Sequence, residues 1–430
     1  MNATGAAPTT ATADTAPGTT PDPVPAPTGT PDTVPTGARD TVPTDTPNGD
    51  APAASTGTPP TAARHWDRAT QQDYRARVRG TLLGAALGDA LGAPVAGLSL
   101  AGIRAAHGPA GLTEPSPAFG RRGAVTATTQ LAVFTTDGLI RAHVRRDGGS
   151  WHPPTDLHRA YLRWADGQHD ANPDQRRPGT GRLAREDWLH ARRGPDRACL
   201  TGFGDPVPGT PDTPKNPTAR DAAAAARSAP FGLLVDWEPR LVLQLTVECA
   251  AQSHGHPTAT LAAGALATTV HGLTRGRPLT TALADTLDLL AEHPGHDPVT
   301  AALHRALDAA EDTAPAPHPA VVESLCAGRD ADDALAVAAY CALVAVDVRH
   351  GLRLAVNHGG DSTVTGALTG ALLGARDGET ALPALWLAEL EGRATLLELA
   401  DDFALEMTQG HTLHGPTVAG TAWANRYPAI

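Results

Sequence analysis

Glycine recurs at every fourth residue in two separated stretches: Gly80, Gly84, Gly88 and Gly92, and later Gly366, Gly370 and Gly374. On an α-helix this spacing places the glycines on one slowly drifting ridge. Each interior glycine costs about 1 kcal/mol of helix propensity against alanine, so a ridge of them needs a compensating contact. The contact that suits it is another helix, closer than a Cβ would permit. Both stretches are therefore expected to be core helices packed on small partners, or on each other. In the second case "GDALGAP" (88–94) would lie near "GGDSTVT" (359–365).

Elsewhere, apolar residues recur at helical spacing in runs over 73–92, 128–146, 154–168, 220–235, 239–253, 257–273, 279–292, 332–356, 363–375 and 395–407. Alternating strand-like runs closed by hairpin turns are missing. The expected fold class is all-α, a compact multi-helix globule over residues 63–430. Residues 1–62 are mostly Thr, Pro, Ala, Asp and Gly with no leucine. Such a segment buries too little to offset backbone ordering entropy and is expected to be a disordered tail. The loop over 202–220 is too long for a bare connector, so it is expected to be functional or mobile.

Net charge is −12, and Lys215 is the lone lysine among 34 basic residues. That balance argues against a general nucleic-acid binder, which needs clustered cations for phosphate. Cys199, Cys249, Cys326 and Cys341 form no CxxC pair, so a zinc knuckle or redox motif is not expected. A reducing, cytoplasmic setting fits. No apolar run is long enough to span a bilayer, and no membrane partner is expected.

The stretch "NHGGDSTVTGALTGALLGA" (357–375) gathers a carboxylate and three hydroxyls at the mouth of a helix of small residues. Three readings are open: an ordinary N-cap on Asp361, an anion cradle of free N–H groups, and the remains of a metal site.

Six segments then point to one family: "GTLLGAALGDALGAPV" (80–95), "VTATTQLAVFTTDGLIRA" (125–142), "AAAARSAPFG" (223–232), "SHGHP" (253–257), "AVNHGGDSTVTGALTGALLGA" (355–375) and "LPALWLAELEGR" (382–393). In this order they resemble the ADP-ribosylglycohydrolase family, the group of dinitrogenase-reductase-activating glycohydrolases and their relatives, over about residues 70–410. The resemblance implies a deep central cleft holding two Mg²⁺ ions. Those ions help to hydrolyse N- or O-glycosidic bonds at the ribose of ADP-ribose.

The family's metal motifs are degenerate here. Its "GDALGAPVE" matches up to Val95, but the glutamate position is Ala96. Its "TDDTQ" is Thr126, Ala127, Thr128, Thr129 and Gln130, with both aspartates gone. Its "GGDTDTT" keeps Gly359, Gly360 and Asp361, then reads Ser362, Thr363 and Val364. Two Mg²⁺ ions need several hard oxygen ligands, so the resemblance implies magnesium binding that is weak or lost, with Thr126, Asp361 and Thr363 as the residual ligand set. Asp137 is too far along its helix to substitute, and Glu114 would have to fold inward from a loop.

The resemblance further implies ligand contacts from Gly359, Gly360, Ser362, Thr128, Asp89 and Arg227, and bracing behind the site by His254. Each has a plainer alternative. Asp89, on a glycine ridge, suits a buried acid bonded to backbone and hydroxyls. Arg227 suits a buried cation paired with Asp89 or Asp361. His254 and His256 point apart on a helix, and His358 suits a solvated position. Three functions follow: an impaired homologue that binds ADP-ribose or a related nucleotide, an active hydrolase using one metal or an altered ligand set, and a structural or interaction protein on this scaffold.

Overall fold

In the computed structural model, the two glycine helices, Arg68–Gly92 and Ser362–Asp377, lie against each other. A Cβ on Gly80, Gly84, Gly88 or Gly92 would overlap the backbone carbonyl of Gly374, Gly370, Gly366 or Ser362 in turn. Partner numbers fall as the first set rises, so the helices run antiparallel, in register every four residues. At the Gly80–Gly374, Gly84–Gly370 and Gly88–Gly366 crossings glycine is required on both sides, because the obstacle is backbone and not a movable side chain. As expected, the seam places Gly92 against Ser362.

The model describes residues 66–169, 181–313, 319–326 and 330–428. The expected tail over 1–62 lies outside the described residues. Eighteen α-helices are present among them, with one two-stranded hairpin pairing Pro117–Ala118 with Arg121–Arg122, so the fold is all-α. No single described helix is long and apolar enough to cross a membrane.

The helices Ala127–Asp147, Arg393–Leu413, Pro257–Leu273, Ala331–Val344 and Val348–Val356 surround the seam. Cations on the first helix fasten it to its neighbours. Arg77 donates to the carbonyls of Leu273, Ala375 and Arg376 at 2.8–3.1 Å. It thereby satisfies carbonyl groups at the C-terminal ends of two helices, where positive charge is also favoured. Arg75 and Arg79 both pair with Asp401 on the Arg393–Leu413 helix.

Two expected helices are broken. The run over 220–235 forms only the turn Ala223–Ala226 and a 3₁₀ segment, Ala229–Leu233. Pro230 has no N–H and disfavours the α conformation in the residue before it. The run over 332–356 divides into Ala331–Val344 and Val348–Val356, where Asp347 accepts from the His350 N–H at 2.7 Å and starts the second helix. The 202–220 loop is fixed at its far end. Asn216 donates to the Ala198 and Ser253 carbonyls at 3.0 and 2.8 Å, and Lys215 pairs with Asp205 at 2.6 Å.

Candidate functional site

The site is built where two helices begin beside the glycine seam. Asp89 is fully buried and accepts from the Thr126 N–H (2.8 Å) and hydroxyl (2.7 Å), and from the Thr129 N–H (3.3 Å) and hydroxyl (2.6 Å). Burial pushes its carboxyl up to about 6, against the pull of those four donors. Asp89 therefore holds the first turn of the Ala127–Asp147 helix as an internal anchor. The Thr126 hydroxyl accepts from the Thr128 N–H at 3.2 Å, and the Ala127 N–H goes to the Arg193 carbonyl at 3.0 Å.

The second helix start is closed in the same way. One Asp361 oxygen accepts from the Thr363 N–H (3.2 Å), the Thr363 hydroxyl (2.7 Å) and the Val364 N–H (3.3 Å). Several donors of the 359–365 stretch have protein partners: the Gly359 N–H goes to Glu323 (2.8 Å), the Gly360 N–H to the His358 ring (3.0 Å), and the Thr363 and Val364 N–H groups to Asp361 itself. A phosphate arriving there would meet the Asp361 carboxylate.

Between the two helix starts lies a cavity of about 160 Å³. Thr128, Asp361, Thr363 and Val364 line one side of it. Asp196 and Asp221 also line it, two acids not singled out in the sequence, together with Ala223 and Ala226 of the alanine run. Asp196 caps the short Arg197–Phe203 helix by accepting from the Cys199 N–H at 2.9 Å. Asp221 accepts from the Ala223 N–H at 3.1 Å and lies 2.9 Å from His254 Nε2. Burial would raise the Asp221 carboxyl, but His254 outweighs it and holds the group below the ordinary range.

Behind this wall, His254 is fully buried, with Nδ1 2.8 Å from the Ser253 hydroxyl. Arg227 donates to the same hydroxyl at 2.6 Å and to the Ala223 carbonyl at 3.2 Å. Its guanidinium lies 5.2 Å from the Tyr161 ring centroid and 5.1 Å from that of Phe203, within cation–π range. Arg227 thus meets rings, carbonyls, Ser253 and the Cys199 sulfur (3.7 Å), and not Asp89 or Asp361. Burial pushes the Cys199 thiol far up, with the nearby Arg227 charge opposing it.

Of the residues singled out from sequence, the structure brings Thr128, Asp361 and Thr363 to the cavity. Thr126 sits just behind, bonded to Asp89. Asp89, Arg227, Ser362, Gly359 and Gly360 do not line the cavity. Ser362 is buried against Gly92, and Gly360 packs on Cys326 and His358. His254 supports the wall by holding Asp221. His358 is buried and not solvated, with Nε2 bonded to the Ala355 carbonyl and the Thr365 hydroxyl at 2.9 and 2.8 Å. Asp137 pairs with Arg141 and Arg163, while Glu114 pairs with Arg349 and accepts from Trp386. Neither reaches the cavity. Signals for the missed acids did exist: Asp196 stands three residues before Cys199 at a helix start, and Asp221 opens the alanine run.

The ADP-ribosylglycohydrolase family model matches residues 70–412. A solved structure described as an ADP-ribosylglycohydrolase-related protein complex is 26% identical with a TM-score of 0.54, covering 79% of this chain and all of that one. No curated protein matches the chain significantly. The matched span contains both glycine helices and every segment around the cavity, and the chain belongs to the ADP-ribosylglycohydrolase family.

Proposed function

We propose that this chain binds ADP-ribose or a related nucleotide through its ribose, with two-metal hydrolysis weakened or lost. The observation that carries the reading is the composition of the cavity. Asp361, Asp196, Asp221, Thr128 and Thr363 offer acceptors for sugar hydroxyls. At about 160 Å³ the cavity has room for a small polyhydroxyl group such as a ribose. The occupied donors at both helix starts favour a diol over a phosphate there.

The helix-start positions alone do not supply the acids of a magnesium pair. Mg²⁺ requires near-octahedral oxygen coordination. Of the helix-start positions at which the family supplies acids, only Asp361 is a carboxylate; the others are Ala127, Thr128 and Thr363. Val364 adds methyl groups where the family has a threonine.

Calorimetric titration with ADP-ribose, with and without Mg²⁺, tests the reading alongside assays for ADP-ribose release from modified arginine and serine. Millimolar or tighter binding without turnover is expected. Mg²⁺-dependent turnover would instead establish the active-hydrolase reading, which Asp196 and Asp221 favour by adding acids to the cavity. Absence of both signals would leave a structural or interaction role.

A further inference from the structure

We propose that Asp196, Cys199 and His254 form a mononuclear site for a borderline-soft divalent cation of the zinc class, on the wall of the cavity. The inference goes beyond the ribose reading and does not depend on it. One ligand atom from each of the three residues lies within 4.8 Å of the other two, and His254 Nε2 is 3.7 Å from Asp196 Oδ1. Ligands on one tetrahedral zinc, at bond lengths of about 2.0–2.3 Å, lie roughly 3.3–3.7 Å apart. Small side-chain movements would close the set around an ion.

The donor types select the cation. A thiolate, an imidazole and a carboxylate suit zinc or cobalt and disfavour magnesium, which prefers oxygen ligands. The site is also supported from outside. Asp196 and Cys199 are three residues apart at one helix start, a spacing that brings side chains together. Gly202 lets that helix rest directly on the Gln252–Ser253 backbone, where a Cβ would clash, and so fixes its distance from His254.

The Ser253 hydroxyl oxygen, 2.8 Å from His254 Nδ1, can accept a hydrogen bond from Nδ1–H when Nε2 turns its lone pair to the metal. This is the usual outer support of a ligating histidine. Asp221 would then exchange its hydrogen bond to Nε2 for the charge of the cation. Charge also balances: Asp196, Asp221 and a Cys199 thiolate carry three negative charges, against Arg227 and one divalent ion. Asp196 lines the cavity and Asp221 lies 2.9 Å from His254 Nε2, so the fourth position falls to Asp221 or to a water from the cavity.

The test uses the full chain, stripped with chelator and titrated with Zn²⁺ against a chromophoric competitor and with Co²⁺ by absorption. One zinc per chain and a thiolate-to-cobalt charge-transfer band are expected. Loss of an outer-shell partner alone costs 10–100-fold in affinity, so Cys199→Ser should abolish the band and weaken zinc by more than about 100-fold. Asp196→Asn retains the helix cap and should also weaken zinc, which keeps the test decisive if Cys199→Ser fails to fold. Cys341→Ser, which removes a buried thiol on another helix, should keep the band and bind zinc as the parent does. No zinc at one equivalent, or zinc and a charge-transfer band that both survive Cys199→Ser, would overturn the proposal. ADP-ribose is absent throughout, so failure here and failure of the ribose reading are separate results.

Discussion

Gly88 and Gly366 meet backbone to backbone: a methyl group on either would overlap the other's carbonyl. Alanine at Gly88 should gain about 1 kcal/mol of helix propensity and lose more than that to the overlap, since overpacking costs about 1–3 kcal/mol even where side chains can move. Because the obstacle is backbone, the upper end of that range, about 3 kcal/mol, applies, and Gly88→Ala is expected to be destabilised by about 2 kcal/mol net, measured by urea unfolding. A neutral or stabilised variant would contradict the seam.

Asp89 anchors four donors with no solvent contact. Asp89→Ala strands two backbone N–H groups and two hydroxyls, each buried unsatisfied group costing about 1–3 kcal/mol. A loss of about 3 kcal/mol or more is expected. Hydrogen exchange at the amides of Thr126 and Thr129 should accelerate more than in the rest of that helix. Uniform exchange across the helix would speak against a local anchor.

His143 gives a pH dependence of defined sign. Burial, assisted by the Arg146 charge, lowers it from 6.5 to about 4, and its Nδ1 lies 2.8 Å from the Leu139 carbonyl. Between about pH 6.5 and 4 the unfolded chain binds a proton here that the folded chain refuses. Stability should therefore fall as pH drops through that window, by up to about 3 kcal/mol at 1.36 kcal/mol per pKa unit. Thermal melts of the parent and His143→Gln across this range should converge as pH falls. Parallel curves would show that His143 titrates normally.

Asp401 acts at lower pH and in the other class. Burial would raise its carboxyl, but Arg75 and Arg79 outweigh that and hold it at about 2. Its contribution is fully present above the ordinary value of 3.8 and is lost as pH falls towards 2. The stability difference between the parent and Asp401→Asn should shrink over that interval in acid unfolding.

Restoring the family acids tests the cavity. Ala127→Asp, Thr128→Asp and Thr363→Asp together should recover Mg²⁺ binding measurable by calorimetry, because both helix starts are held in place by Asp89 and Asp361. A folded triple variant that takes up no Mg²⁺ would show that these positions do not converge on one ion pair.

Features carried by local pattern were legible in the sequence. The four-residue glycine period foretold the Gly80–Gly374 seam, and the Asp361-Ser-Thr start foretold a cap. The position of Asp89 on the glycine ridge pointed to a buried acid bonded to backbone and hydroxyls, though not to Thr126 and Thr129 as its partners. The Asp196–Asp221 wall did not show, because a short helix and a long bracketed loop carry it, and only tertiary contacts such as Asn216 with Ser253 bring it to the cavity. The environment of Arg227 was hidden likewise: Tyr161 and Phe203 come from segments far away in the chain. Pro230 was visible, but the alanine run before it concealed its effect.

The glycine seam also bears on how the chain reaches its native state. Its first half leaves the ribosome nearly three hundred residues before Gly374, and until then the Gly80–Gly92 groove has no occupant. Closing so long a loop is entropically slow, so the nascent protein must keep that groove shielded, by transient collapse or by a chaperone, until synthesis is almost finished.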